Sequence, residues 1–127
     1  MDAQLLVSKL QELGLTKIHT NMPTKKDLHG VLNLPANASI SDSLIHGIQY
    51  VHIIIAGMDK DKTREETQKN IDLINNNIDD LRGSFIGNYR INAIRFQNIG
   101  PQYLSVDSEG RHQWDFTMIF NIAKFNN

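Results

Sequence analysis

Trp114-Asp115-Phe116-Thr117-Met118-Ile119-Phe120-Asn121-Ile122 decides the fold. Large apolar side chains stand at every second position, with Asp115, Thr117 and Asn121 among the residues between. In a strand, successive side chains point to opposite faces. The pattern therefore predicts a strand with Trp114, Phe116, Met118, Phe120 and Ile122 on the core. Gln113, Asp115, Thr117, Ile119 and Asn121 turn the other way. Just before it, Asp107-Ser108-Glu109-Gly110 is a turn signal closed by a glycine that tolerates positive φ. Tyr103 to Val106 then pairs back on the long strand as the other arm of a hairpin.

Working outward, Tyr89 and Ile91 share one strand parity while Ile94 and Phe96 share the other. That phase switch predicts a bulge near Ala93. From Thr63 to Leu81 the spacing is helical, with Thr67, Ile71, Ile74, Ile78 and Leu81 in one stripe. Thr63 and Glu66 read as a capping box, and Glu65 with Lys69 as an i,i+4 pair. Arg82 and Gly83 suit the helix end. The span Leu44 to Gly57 is centred on Tyr50-Val51-His52-Ile53-Ile54-Ile55-Ala56. Its nearly continuous, β-branched apolarity predicts a central strand covered on both faces. His46 to Phe96 then forms a strand–helix–strand crossover.

Ala3, Leu6, Leu10 and Leu13 predict an N-terminal helix stopped by Gly14. Leu15 to Asn21 reads as a short strand ending at Met22-Pro23. Thr24 to Ser43 is loop chemistry, with Val31-Leu32-Asn33-Leu34 a short strand inside it; long loops in small domains are usually functional arms or disordered segments. The expected fold is α+β: a mainly antiparallel β-sheet with two α-helices packed on one face. It occupies a single domain, residues 1–127, with a long loop at about 24–43.

Composition narrows the function. The apolar fraction of 40% supports a real core at this length. No cysteine is present, which removes disulfides, thiol nucleophiles and thiolate zinc sites. The formal charge is −1, without the basic excess of a phosphate-binding protein. Lys25-Lys26 is the one short basic cluster, and Asp27 follows it. The start lacks a basic region before an apolar run, so no signal peptide is expected. The longest apolar run, Val51 to Ala56, is too short to span a bilayer. These readings together favour a cytoplasmic setting.

The sequence is poor in catalytic patterns. His19, His29, His46, His52 and His112 show no close ligand spacing. His46 and His52 share a strand face but stand roughly 20 Å apart. Glycine-rich phosphate loops are absent. Ser84 lacks a nucleophile elbow. Asp79 and Asp80 diverge on a helix, and Asp59, Asp61, Glu65 and Glu66 suit a helix dipole. Asp59-x-Asp61 does not continue into a calcium loop, since Lys62, Thr63 and Arg64 follow. Tyr50, Tyr89, Tyr103 and Trp114 are read first as core or interface residues, and secondly as a pocket lining. No metal, cofactor or catalytic residue is assigned.

Two stretches resemble a known group. One is Tyr50 to Asp59, leading into the helix with Asn70-Ile71-Asp72-Leu73-Ile74. The other is Pro101-Gln102-Tyr103-Leu104-Ser105-Val106-Asp107-Ser108-Glu109-Gly110-Arg111-His112 feeding the aromatic strand. Together with the N-terminal helix and Asn21-Met22-Pro23, they are similar to the small minor capsid and tail-terminator proteins of long-tailed, non-contractile bacteriophages and prophages. The resemblance runs from about Leu5 to Phe125. It departs at Thr24–Ser43, where Asn, Ser and Leu stand in place of a glycine- and aromatic-rich segment.

The resemblance implies a structural protein of the virion, located at the head–tail junction and assembled in the host cytoplasm. It implies a homohexameric ring that caps the tail tube and joins it to the head. Its partners are copies of itself and phage tail-tube and neck proteins. DNA passes through such a ring without sequence-specific binding, and no membrane is involved. Contacts between subunits fall on sheet edges and the long loop. The candidate interface residues are Met22, Pro23, Val31, Leu32, Leu34, Tyr103, Arg111, His112 and Trp114. A neck stopper or head-completion subunit is the nearest alternative. A small ligand-binding or hydrolytic α/β domain, with a pocket near Tyr50, His52 and Trp114, is the alternative from another class.

Overall fold

A computed structural model of the chain describes residues 1–15, 17–23, 27–35 and 46–125. In chain order the elements are α1 (Ala3–Glu12), β1 (Ile18–His19), β2 (His29–Asn33), β3 (His46–Gly57), α2 (Lys60–Asn76), α3 (Ile78–Leu81), β4 (Phe85–Ile86), β5 (Tyr89–Phe96), β6 (Gln102–Val106) and β7 (His112–Lys124). The strands form one curled mixed sheet ordered β1-β2-β3-β7-β5-β4, and β6 also pairs with β7. β1 and β2 run parallel; the other pairs are antiparallel. This is the expected α+β fold.

β7 is the spine. One of its edges pairs with β3 from Gly57↔His112 to His46↔Ala123. Its other edge is shared between β6, beside His112 to Asp115, and β5, beside Met118 to Lys124. Trp114, Phe116, Met118, Phe120 and Ile122 are all buried, as the alternation predicts. The register of β5 slips between Ile91 and Ala93, which is the expected bulge. β3 and β5 both oppose β7 and so run parallel to each other with β7 between them. The crossover is therefore split by an inserted strand.

The helices lie on one face. Leu6, Val7 and Leu10 of α1, Ile71 and Ile74 of α2, and Leu81 of α3 join Val51, Ile53, Ile55, Phe116, Met118 and Phe120 in one core. Burying about eighteen such side chains stabilises the domain by roughly 1.5–3 kcal/mol each before entropy is counted. α1 starts at Asp2, whose carboxylate accepts from the Leu5 amide at 3.0 Å, and stops at Gly14, where φ is +108°.

Four expectations need correction. The long helix begins earlier than predicted: Asp59 caps it by accepting from the Lys62 amide, and the Thr63 hydroxyl instead donates to the Asp59 carbonyl at 2.6 Å. It also breaks at Asn77, whose side-chain amide donates to the Leu73 carbonyl at 2.7 Å, so Ile78–Leu81 is a separate turn. β3 is sealed on one face only. Val51, Ile53 and Ile55 lie under the helices, whereas His52 and Ile54 are half-buried and Tyr50 is exposed. The short strand expected inside Thr24–Ser43 is present, shifted to His29–Asn33 and paired along β3 from His29↔Ala56 to Asn33↔His52. The rest of that loop, residues 24–26 and 36–43, lies outside the described residues, as does the predicted strand start at Leu44 and Ile45. The strand predicted over Leu15 to Asn21 is reduced to Ile18–His19.

Candidate assembly interface

The β6–β7 hairpin is built from its turn. The Asp107 carboxylate accepts from the Glu109 and Arg111 amides, each at 2.9 Å, and pairs with the Arg111 guanidinium at 2.8 Å. Gly110 sits at φ +81° and its amide donates to the Asp107 carbonyl. The Asp-x-x-Gly-Arg pattern is thus a closed unit, in which the acid caps the turn and the glycine takes the left-handed residue. Burial acts to raise the Asp107 carboxyl, but the Arg111 amide, the Arg111 guanidinium and the Glu109 amide hold it below the usual carboxylate range.

Arg111 is a structural strut. It is 4% exposed, and its Nη1 donates to the Pro23 carbonyl at 2.7 Å, across 88 residues of sequence. That bond brings Met22 and Pro23, both half-buried, to the turn end of the hairpin. Asp27 makes a second tie there, accepting from the Met58 amide at 2.8 Å. That amide, then the Leu28 amide, lowers the Asp27 carboxyl.

The hairpin is also fastened to the first turn of α2. Trp114 Nε1 donates to the Lys60 carbonyl at 3.0 Å. Tyr103 packs edge-on against Trp114 with centroids 5.1 Å apart, and the Lys60 ammonium lies 4.4 Å from the Tyr103 ring. The Tyr103 hydroxyl is 3.0 Å from His112 Nδ1. The structure therefore gathers Tyr103, Arg111, His112, Trp114, Met22 and Pro23 at one end of the sheet. Val31, Leu32 and Leu34 sit on or beside β2; Leu32 is a core residue at 1% exposure, Val31 is buried and Leu34 packs against the core.

Tyr50 and His52 do not share a face of the sheet with Trp114, so the three do not line one pocket. Trp114 pairs with Ile55 and faces the helices, whereas Tyr50 and His52 have the opposite parity on β3. On that far face His52 Nε2 and Asp115 Oδ2 are 2.6 Å apart, while Asp115 Oδ1 is buried without a partner. Among the described residues, no three His, Asp or Glu side chains gather as metal ligands. Nor, among the described residues, is any helix long and apolar enough to cross a membrane.

Sequence reading named Tyr103 but missed the other exposed apolar side chains. All five residues of β6 are exposed, including Tyr103, Leu104 and Val106, and Ile99 just before it is fully exposed. A second set, Leu5, Phe85 and Phe125, stands beyond the other end of β7. Phe85 and Phe125 pack edge-on at 5.5 Å, and Leu5 and Phe85 line a depression of about 300 Å³ with Ser8, Lys9, Glu12 and Ile86. The available signal was chemical: β6 has no charged residue between Pro101 and Asp107.

No family model matches the sequence, and no curated protein does. Among solved structures the chain is similar to one in the virion of a native gene transfer agent particle, with a TM-score of 0.55 and 15% identity, over 94% of this chain and 90% of that one. That likeness is one of fold.

Proposed function

We propose that this chain is a structural subunit of a phage-like particle, and specifically a tail terminator. In this reading it forms a ring, hexameric by resemblance, that caps the tail tube and joins it to the head. DNA passes through the ring without sequence-specific binding. The carrying observation is the fold shared with a virion chain along nearly the whole of both molecules. Three features agree with it. The net charge of −1 suits a channel that must not retain DNA. Apolar side chains remain exposed at two ends of the sheet. The hairpin motif that carries the sequence resemblance is intact as a folded unit.

The test is mass in solution by light scattering across a concentration series, followed by capture with tail-tube and neck proteins. A closed oligomer of about six subunits that binds tube protein supports the terminator. Binding to neck proteins alone assigns the chain to the stopper position instead. A monomer that captures neither would sink the reading.

A further inference from the structure

The sheet brings together two histidines that the sequence keeps apart. His19 ends β1 and His29 begins β2. The two strands run parallel, with Ile18 beside Gly30 and His19 beside Val31. Side chains at every second position share a face, so His29 stands on the face of Val31 and therefore of His19. The two ring centroids are 5.3 Å apart, and the ring planes are tilted by 33°. Both residues are half-buried. They lie at the β1 edge of the sheet, on the face turned away from the helices, since Ile18 and Leu32 of the opposite parity belong to the core.

Imidazole is the commonest protein ligand of divalent transition ions. Zinc bonds an imidazole nitrogen at about 2.0–2.1 Å, so an ion shared at a tetrahedral angle would hold two ring centroids roughly 5 Å apart. The observed separation matches that spacing. One nitrogen of each ring is enough, because a ligating histidine ordinarily donates to the protein through its other nitrogen. The second histidine pair of groups on this face, His52 with Asp115, is closed on itself at 2.6 Å. Among the described residues no third His, Asp or Glu joins His19 and His29, so water would complete the coordination.

We propose that His19 and His29 bind one divalent transition-metal ion, of the Zn²⁺, Ni²⁺ or Cu²⁺ class, across the β1–β2 pair. The site stands apart from the assembly reading and does not depend on it. Its effect is local. β1 is two residues long, and an ion held from both strands clamps it onto β2. A ligand that binds the folded chain alone stabilises it by mass action.

The chain is purified without a histidine tag and titrated with zinc chloride in a calorimeter. Wild type should take up one ion. His19→Asn and His29→Asn should each weaken uptake by about tenfold or more, at least what loss of an outer-shell partner costs. His46→Asn should match wild type. Zn²⁺ should raise the melting temperature of wild type and His46→Asn but not of the other two, and a chelator should reverse the rise. Circular dichroism checks that each variant keeps the wild-type fold. A second measurement needs no variant: substoichiometric Cu²⁺ should broaden the ring proton signals of His19 and His29 before those of His46, His52 and His112. No uptake by wild type at millimolar Zn²⁺ would overturn the site. So would unchanged uptake in both variants, or broadening that begins at other histidines; His19 and His29 would then be a stacked pair only.

Discussion

At the scale of single residues, Asp107 and Arg111 tie the hairpin turn to the rest of the fold. Their side chains are 14% and 4% exposed, and each also bonds backbone. Removing the Asp107 charge leaves the buried Arg111 guanidinium on the Pro23 carbonyl but without its counter-charge, which costs more than the ion pair itself contributes. Asp107→Asn should therefore lower stability by about 2–3 kcal/mol at neutral pH, read from urea midpoints. The sign of the pH dependence follows from a folded-state carboxyl held below its unfolded value. Its stabilisation is present above the unfolded value, about 3.9, and is lost as pH falls through the lower folded one. The gap between wild type and Asp107→Asn should narrow between pH 5 and acid, and a gap constant with pH would remove the charge from the explanation. Gly57 is a second such residue, for steric reasons. A Cβ there would lie 2.4 Å from the Thr63 hydroxyl, which is itself bonded to the Asp59 carbonyl. Gly57→Ala should cost about 1–3 kcal/mol by disturbing the start of α2. The turn was legible in the sequence because its signals are local. The Arg111–Pro23 bond was not, since nothing local announces a contact across 88 residues.

At the scale of elements, period two was the most informative signal and its failure the most instructive. β7 alternates openly, and its core face is the one its sequence names. β3 hides its parity, because Ile53, Ile54 and Ile55 are apolar in a row. Such a run reads as doubly buried, yet the helices cover only Val51, Ile53 and Ile55. The two neighbours should therefore separate on mutation. Ile53→Ala should cost about 3 kcal/mol, as a core truncation does. Ile54→Ala should cost about 1 kcal/mol, in proportion to its partial burial. Equal costs in denaturant titrations of the isolated chain would mean the far face is sealed as well. The helix boundaries were less legible for a related reason. Asp59 and Thr63 both suit a cap, and the choice between them depends on where β3 ends at Gly57, which tertiary packing sets. β2 was only partly legible, since its pairing along β3 is read from no local pattern.

At the scale of the whole molecule, surface chemistry distinguishes the ring from its alternatives. Two surface ion pairs, Lys9–Glu12 and Arg82–Asp79, join residues three apart within one helical stretch and contribute little. The exposed apolar features are β6 with Ile99 and the Leu5–Phe85–Phe125 set, and the second of them adjoins Lys9 and Glu12. Assembly through β6, which carries no charge, should be driven by burial rather than by charge. Burial-driven contacts are insensitive to salt, because screening acts on exposed charges over a Debye length of about 10 Å at 0.1 M. They also stabilise the folded state by mass action, so the melting temperature should rise with protein concentration. The expectation is a midpoint that climbs over a hundredfold concentration range and is unchanged between about 0.1 and 1 M sodium chloride. Leu104→Asp should abolish the climb while leaving the dilute midpoint within about 0.5 kcal/mol of wild type, since the side chain is exposed in the single copy. Dissociation by salt would instead place the contact on charged side chains such as Lys60, Arg64 and Glu109, moving the interface from the edge of β6 to the turn and helix beside it.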